Sequence, residues 1–324
     1  MERRELVSVV VTSYNSALFV LETLESVKTQ TYPDLELIVS DDGSTDNTVS
    51  LSKAWLIENN QRFVRTEVVT VPANTGVSAN CNRGIGSAKG NWIKFIAGDD
   101  ILLPNCIADN MDFVVNNPGT KVLFSYVQLY CNDFLENSFL KTIPQGFPMN
   151  IMAPHFAPID QFNLLLLSDR ISFTPSYFFK KEAVLSVGGY DENNKLAEDY
   201  PMWLKLTHAG IRLDFLEAET VGYRQHDSAL NNIEKNVLFK PLLLKTFPFR
   251  KQYVFRYLPW DIVASEKWTN RIQVLFERMG WNSQTPVFHF LYRLAIVYLN
   301  PFQYVISLRK KITKARRPDV FYSY

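Results

Sequence analysis

The feature that most limits the fold is an alternation, through the first 127 residues, between short β-branched runs and longer stretches of helical spacing. "LVSVVVTS" (6–13), "LELIVS" (35–40), "TEVVTV" (66–71), "NWIKFIA" (91–97) and "KVLFSYV" (121–127) are apolar on both faces and rich in Val and Ile, as strands covered on both sides are. Between them, 17–29, 46–59, 77–88 and 103–116 repeat apolar residues at helical intervals, with Ser44 or Asp46, Ser78 and Pro104 near the expected helix starts. Strand, helix, strand, repeated, predicts an α/β fold: a mostly parallel central sheet flanked by helices, Rossmann-like in its layering.

From 128 to 180 the pattern loosens around prolines 144, 148, 154, 158 and 175, which suggests excursions over the open end of the sheet. Regularity returns with helices expected at 181–187 and about 198–209, a "GGYD" turn at 188–191, and strands near 211–216 and 219–224. After about 230 the chain is rich in Phe, Tyr, Leu, Lys and Arg. The expected organisation is a catalytic domain over 1–230, with halves of about 1–127 and 128–230, followed by a helical extension over 231–324.

A chain of 324 residues with 47% apolar content can bury a large core. Lys plus Arg number 34 against 33 Asp plus Glu, so no global field draws the protein to nucleic acid. Cys81, Cys106 and Cys131 are widely spaced and form no CxxC pair, which suggests neither a disulfide framework nor a zinc site and fits a reducing cytoplasm. The apolar run Leu6 to Val11 is too short for a signal peptide, and no stretch approaches the roughly 18 uninterrupted apolar residues of a membrane span. A cytoplasmic protein is expected.

In an open parallel sheet, ligands bind beyond the carboxyl ends of the strands. Those ends carry "TSYN" (Thr12 to Asn15), "SDDGSTDNT" (Ser40 to Thr48), "ANTG" (Ala73 to Gly76) and "GDD" (Gly98 to Asp100). Each alone reads as a turn or a helix cap. Together they gather carboxylates in one crevice, where like charges repel unless a cation offsets them, and hard oxygen ligands select Mg²⁺ or Mn²⁺.

"VSVVVTSYN", "LELIVSDDGSTDNT", "NTGVSANCNRGIGSAKGNWIKFIAGDD" and "GGYDENNKLAEDYPMWLKL", in this order, resemble the family 2 glycosyltransferases, inverting enzymes of the GT-A fold, over about residues 6 to 230. The resemblance implies a nucleotide-sugar donor, usually carrying uracil, a divalent cation, and an acceptor hydroxyl on a glycan or lipid-linked glycan, as in bacterial surface-polysaccharide assembly. It places Tyr14 against the base, with Thr12 and Asn15 in the same turn and Asn74 in the facing loop, and Asp42 as the carboxylate that hydrogen-bonds the base. Asp99 falls near the ribose or metal, Asp100 as the direct metal ligand, Asp199 as the catalytic base with Glu198 beside it, and Thr174 and Pro175 on the acceptor side. Arg224 and His226, in "YRQHDS", are placed as a phosphate contact and a second protein ligand of the metal. Two departures stand out: relatives often carry Asp where this chain has Ala97, and Arg where it has Cys81.

The apolar, aromatic run over 284–308 contains His289, Arg293, Asn300 and Pro301, so a spanning helix is not expected. The cluster Arg309, Lys310, Lys311, Lys314, Arg316 and Arg317 follows it, which fits either peripheral contact with anionic lipid or a helical pair packed on the protein with a solvated basic tail. Two rival enzyme classes fail on their signals. "GIGSAKG" (84–90) closes a helix and precedes a strand, the reverse of a dinucleotide-binding loop, and there is neither a Walker GxxxxGK nor the glycine-rich basic start of a nucleotidyltransferase. A binding protein with decayed chemistry is the remaining alternative, against which Asp42, Asp100 and Asp199 stand.

Overall fold

The computed structural model describes residues 4–145, 151–194, 198–225, 236–240 and 242–314. They fall into two compact units, 1–165 with 169–226, and 166–168 with 227–324.

The first unit is built on one sheet, nine-stranded among the described residues. Strand β1 (Val7–Ser13) lies between β2 (Leu35–Asp41) and β4 (Trp92–Ala97), parallel to both, and β3 (Arg65–Thr70) continues the parallel run beyond β2. Helices α1 (Val20–Lys28), α2 (Thr48–Asn59) and α3 (Val77–Ser87) make the crossovers. Every residue of β2 and nearly every one of β1 is buried, which is why these strands read as continuous apolar runs, while β3 at the edge is half-exposed. Gly84 of "GIGSAKG" serves this packing: a Cβ there would sit 2.4 Å from Val10 Cγ1, so its absence lets α3 press on β1.

Beyond β4 the sheet is mixed. The short β8 (Phe178–Lys180) runs antiparallel to both β4 and β6 (Val122–Cys131), and β9 (Asp214–Gln225) runs parallel to β6. Strands β1, β2, β3, β4, β6 and β9 therefore share one direction. β5 (Ile101–Leu102) and β7 (Phe139–Ile143) pair antiparallel with β9 and β6. The two strands expected at 211–216 and 219–224 are one strand: β9 shifts register between Leu216 and Val221 opposite Ser125–Val127, and the extra residues bulge without ending the ladder. The remaining helices of the unit are α4 (Cys106–Asn116), α5 (Pro158–Leu167), α6 (Lys181–Ser186) and α7 (Asp199–His208). An aromatic cluster cores this half, with Phe124 at 4.9 Å from Trp203 and 5.7 Å from Phe173, and Tyr177 at 4.6 Å from Trp203. The aromatics of "FTPSYFFKK" thus belong to the core.

The second unit is helical: α8 (Leu242–Tyr253), α9 (Trp260–Arg278), α10 (Pro286–Arg293), a π-helical turn (Leu294–Tyr298) and α11 (Pro301–Lys314). Pro301 starts α11 afresh, so the apolar run over 284–308 is divided. Buried polar bonds fix the packing on α9: Asn300 Nδ2 and Gln303 Nε2 donate to Ser265 Oγ at 2.9 and 3.0 Å, and Trp268 Nε1 donates to the Ala295 carbonyl at 2.9 Å. Among the described residues, no helix is long and apolar enough to cross a membrane.

Candidate active site

The ends of β1 and β2 form the first corner. Asn15 takes a positive φ of 52°, and its side-chain oxygen accepts from Thr45 N at 2.9 Å while its own N–H donates to Ser44 Oγ at 2.8 Å, tying the two loops together. Asn tolerates that conformation better than most residues. Tyr14 next to it is about half exposed, Thr12 closes β1 opposite Ala97, and Asn74 is exposed in the loop before α3. Asp41 organises the "DDGS" turn by accepting from Ser13 Oγ, Thr70 Oγ1 and the N–H groups of Gly43 and Ser44. Gly43 is required there, because its φ is 77° and a Cβ would lie 2.7 Å from the Ala73 backbone.

Asp42 is 2% exposed and thoroughly hydrogen-bonded: Oδ1 accepts from Thr75 Oγ1 at 2.6 Å, Thr75 N at 3.1 Å and Arg83 Nη2 at 2.7 Å, and Oδ2 from Gly76 N at 2.8 Å. Burial alone would lift this carboxyl, but the bonds from Thr75, Arg83 and Gly76 outweigh it and hold the group below its ordinary range. Thr75 and Arg83 also line, with Ala79, Asn82 and Glu192, an open cleft of about 430 Å³.

The second corner is the turn between β4 and β5. Asp100 is 1% exposed; its Oδ1 accepts from Arg224 N at 2.9 Å and its carbonyl from Thr23 Oγ1 at 2.7 Å. Burial, then the neighbouring Asp99 charge, pushes its carboxyl well up, against the pull of Arg224 and Lys94. Arg224 lies between the rings of Phe19 and Phe134, at 4.5 and 4.3 Å, and its guanidinium donates to the Asp99 carbonyl at 2.8 Å, the Asn132 carbonyl and Glu22. All three guanidinium nitrogens are thus engaged, Nε with the turn that carries both aspartates and the other two with Asn132 and Glu22.

The third corner is the start of α7. Asp199 Oδ2 accepts from Thr174 Oγ1 at 2.9 Å and Oδ1 from Tyr200 N at 2.7 Å. Burial raises its carboxyl despite these bonds. Glu198, just before the helix, is raised to about 7 by burial and by the Asp199 charge. Asp169 joins them: burial and then Asp199 push it to about 7, with only the N–H groups of Ile171 and Arg170 opposing. Sequence reasoning missed Asp169, since it lies in the loop after α5, within no motif, and nothing local marks it. Pro175 follows Thr174 in the same turn, half-buried, and His226 lies outside the described residues.

Cys81 joins the first and third corners. Its thiol is buried and pushed well up, by burial first and then by the charges of Glu198, Asp199 and Asp42, so carboxylates from both sides face this one point on α3. Tyr190, likewise buried, is raised by Tyr177, Cys81, Glu198 and Asp199 after burial. Lys94 lies between the second and third: it feels Asp100 and donates to the Pro175 carbonyl.

Among the described residues no group of three or more His, Cys, Asp or Glu side chains is arranged to hold a metal ion. The adjacent carboxylates of Asp99 and Asp100 at the end of β4 are the residues that could offer oxygen ligands to a hard divalent cation.

Residues 8–158 match the family model described as Glycosyl transferase family 2. That segment is a family 2 glycosyltransferase domain, and the protein is a glycosyltransferase. Over 250 residues the enzyme is 26% identical to the Escherichia coli UDP-Glc:alpha-D-GlcNAc-diphosphoundecaprenol beta-1,3-glucosyltransferase WfaP, covering 77% of this chain and 89% of WfaP. Staphylococcus aureus TarS 1–349 in complex with UDP-GlcNAc superposes with a TM-score of 0.58 at 17% identity, over 98% of this chain and 89% of that one. GalNAc-T7 with UDP, GalNAc and Mn²⁺ superposes with a TM-score of 0.51 at 15% identity, over 69% of this chain and 45% of that one. The glycosyltransferase therefore has the GT-A fold, with a helical C-terminal unit.

Proposed function

We propose that this glycosyltransferase moves a sugar from a UDP-linked donor to an acceptor hydroxyl with inversion at the anomeric carbon. The observation that carries the reading is Asp199: a half-buried carboxylate lifted in pKa and held by Thr174 Oγ1 and the Tyr200 N–H. Residues to about 127 would bind the donor and those from about 128 to 230 the acceptor.

Donor binding falls to the first two corners. Tyr14 would lie against the base, with Thr12, Asn15 and Asn74 around it, and Asp42 would hydrogen-bond the base's N–H, its charge already fixed by Arg83. Asp99 and Asp100 would hold Mn²⁺ or Mg²⁺, with His226 as a further ligand. Such a cation neutralises charge on a departing diphosphate without any proton transfer. Arg224 acts by fixing that turn.

In the transfer, the acceptor oxygen attacks the anomeric carbon from the face opposite the diphosphate. The new C–O bond forms as the bond to the phosphate oxygen breaks, its electron pair leaving on UDP. The acceptor's proton passes to Asp199, whose raised affinity for protons suits a base acting on a weak nucleophile. Thr174, Pro175 and Glu198 would border the acceptor.

WfaP, by its name, acts on a diphosphoundecaprenol-linked sugar, which supports a lipid-linked glycan acceptor and a peripheral place on the inner face of the cell membrane. The second unit offers a surface for it: α10 exposes Val287 and Phe290, and α11 exposes Tyr304, Leu308 and Ile312 beside Lys311, a combination suited to anionic lipid. Flotation with phosphatidylglycerol vesicles checks this, since glutamate at positions 290, 304 and 308 should abolish binding. Unchanged binding, or a shift in oligomeric state in its place, refutes it.

The catalytic reading is tested by UDP release from a panel of UDP-sugars with Mn²⁺. Turnover should require the metal, vanish in Asp100→Ala and fall by about 10²-fold or more in Asp199→Asn. Full activity in either variant overturns the assignment.

A further inference from the structure

Lys94 is a charged side chain in the middle of the sheet, and nothing in the reaction explains it. It stands on β4 between Val9 of β1 and Phe178 of β8, with no exposed surface. Burial pulls its ammonium down to about 8, against the opposing pull of Cys106 and Asp100. Its hydrogen bonds go to two main-chain carbonyls, those of Pro175 and, at 3.4 Å, Tyr177. Burying an ammonium costs more free energy than burying an apolar side chain of similar length, so packing alone does not account for it.

What Lys94 holds is the turn Thr174–Ser176. The same turn is fastened on its other side, where Ser176 Oγ accepts from Ser125 N of β6 at 3.0 Å and donates to the Phe173 carbonyl at 2.8 Å. Its first residue, Thr174, is the one whose hydroxyl reaches Asp199 at 2.9 Å. Five residues beyond Lys94 along β4 begins the Asp99–Asp100 turn.

We infer that Lys94 is a positioning residue for transfer: by gripping the Pro175 and Tyr177 carbonyls from β4, it sets Thr174 where its hydroxyl orients Asp199, and so registers the base against the donor-side strand. The inference rests on Asp199 being the base. It assigns Lys94 no contact with substrate and no proton.

The test is a series of variants, each first checked for native thermal unfolding. Lys94→Met keeps length and removes the donor. UDP release from UDP-glucose or UDP-N-acetylglucosamine with Mn²⁺ should fall about 10- to 100-fold in kcat, as displacement of a catalytic group by an ångström does, with KM for the donor and the calorimetric affinity for UDP within about twofold of the parent. Thr174→Val should show a similar loss, and the double variant no further loss, because both act through one bond. An unchanged kcat, a loss carried in donor affinity, or additive losses would overturn the proposal. If Lys94→Met does not fold, Ser176→Ala releases the same turn from β6, and an unaltered kcat there counts against it equally. A crystal structure of Lys94→Met reads the point without turnover: the proposal requires the Thr174–Asp199 bond to be lost, and its retention at 2.9 Å sinks it. Asp199→Asn separates the two ideas. Full activity in that variant removes the base, whereas an impaired Asp199→Asn beside a fully active Lys94→Met removes only the role of Lys94.

Discussion

Two sets of carboxylates in the first unit behave oppositely. Asp42, at the end of β2, takes four hydrogen bonds, one from an arginine, and stays ionised well into acid. Asp169, Glu198 and Asp199 are less enclosed than Asp42 but have few donors and one another for neighbours, so their carboxyls rise. The more buried group is the one that stays ionised, so the number and kind of donors decide the sign. Three of the four bonds on Asp42 fall on Oδ1 and one on Oδ2, so a carboxylate fixed in charge and orientation keeps one oxygen with room to accept an N–H of a bound base. A crowded, thinly bonded one changes protonation readily, which is what deprotonating an alcohol requires.

The sharpest way to break this comparison is to neutralise one member of each set. Asp199→Asn should lower kcat for transfer by about 10²- to 10⁴-fold, the usual worth of a general base, while UDP binding measured by calorimetry stays the same. A variant that loses UDP affinity instead would place Asp199 on the donor side.

Asp42→Asn should do the reverse. It leaves Arg83 without its carboxylate, so denaturant unfolding should show a loss of about 2 kcal/mol, and UDP affinity should fall about tenfold while kcat at saturating donor is little changed.

Next in size is the pH dependence of stability, which should have opposite signs in two windows. Asp169 and Glu198 titrate at about 7 folded, against ordinary values of 3.8 and 4.5. Between these limits the folded state keeps protons that the unfolded chain has released, so stability falls as pH rises from about 4 to about 7, on the order of 1–2 kcal/mol per group. Asp42, depressed below 3.8, contributes stability above that value and loses it only as pH falls further. Thermal midpoints should therefore decline from about pH 5 to pH 8, and Asp169→Asn or Glu198→Gln should flatten the slope. A slope unaltered in both variants would show that these groups titrate normally.

The smallest effect concerns the thiol between the two sets. Cys81 is buried and raised in pKa by the carboxylates around it, whereas Cys131 is exposed. Iodoacetamide at pH 8 should alkylate Cys131 at least about tenfold faster than Cys81, read by mass spectrometry of the folded protein. Comparable rates would mean that the crevice is open at Cys81.

Much of this site is legible in the sequence because the sheet puts strand ends together. Thr12, Tyr14, Asp42, Asp99 and Asp100 each follow an apolar run that can only be a buried strand, and the direction of the strands sets them on one rim. What escapes the sequence are partners separated by long stretches of chain. Arg224 lies 124 residues from Asp100, and Lys94 lies 81 from Pro175. Asp169 has no motif, because its surroundings are made in part by a neighbour 30 residues on, Asp199. Lys94 even runs against the pattern, a charge within an apolar strand that periodicity alone would leave unexplained.

The sequence by itself determined the layered fold, the rim formed by the strand ends and the acids that stand there, since hydrophobic period and turn chemistry are local properties of the chain. The tertiary structure alone decided which of those acids is ionised, which residue holds each in place and how the two halves of the first unit are registered. Those properties depend on desolvation and on donors delivered from distant segments, and neither quantity exists until the chain has folded.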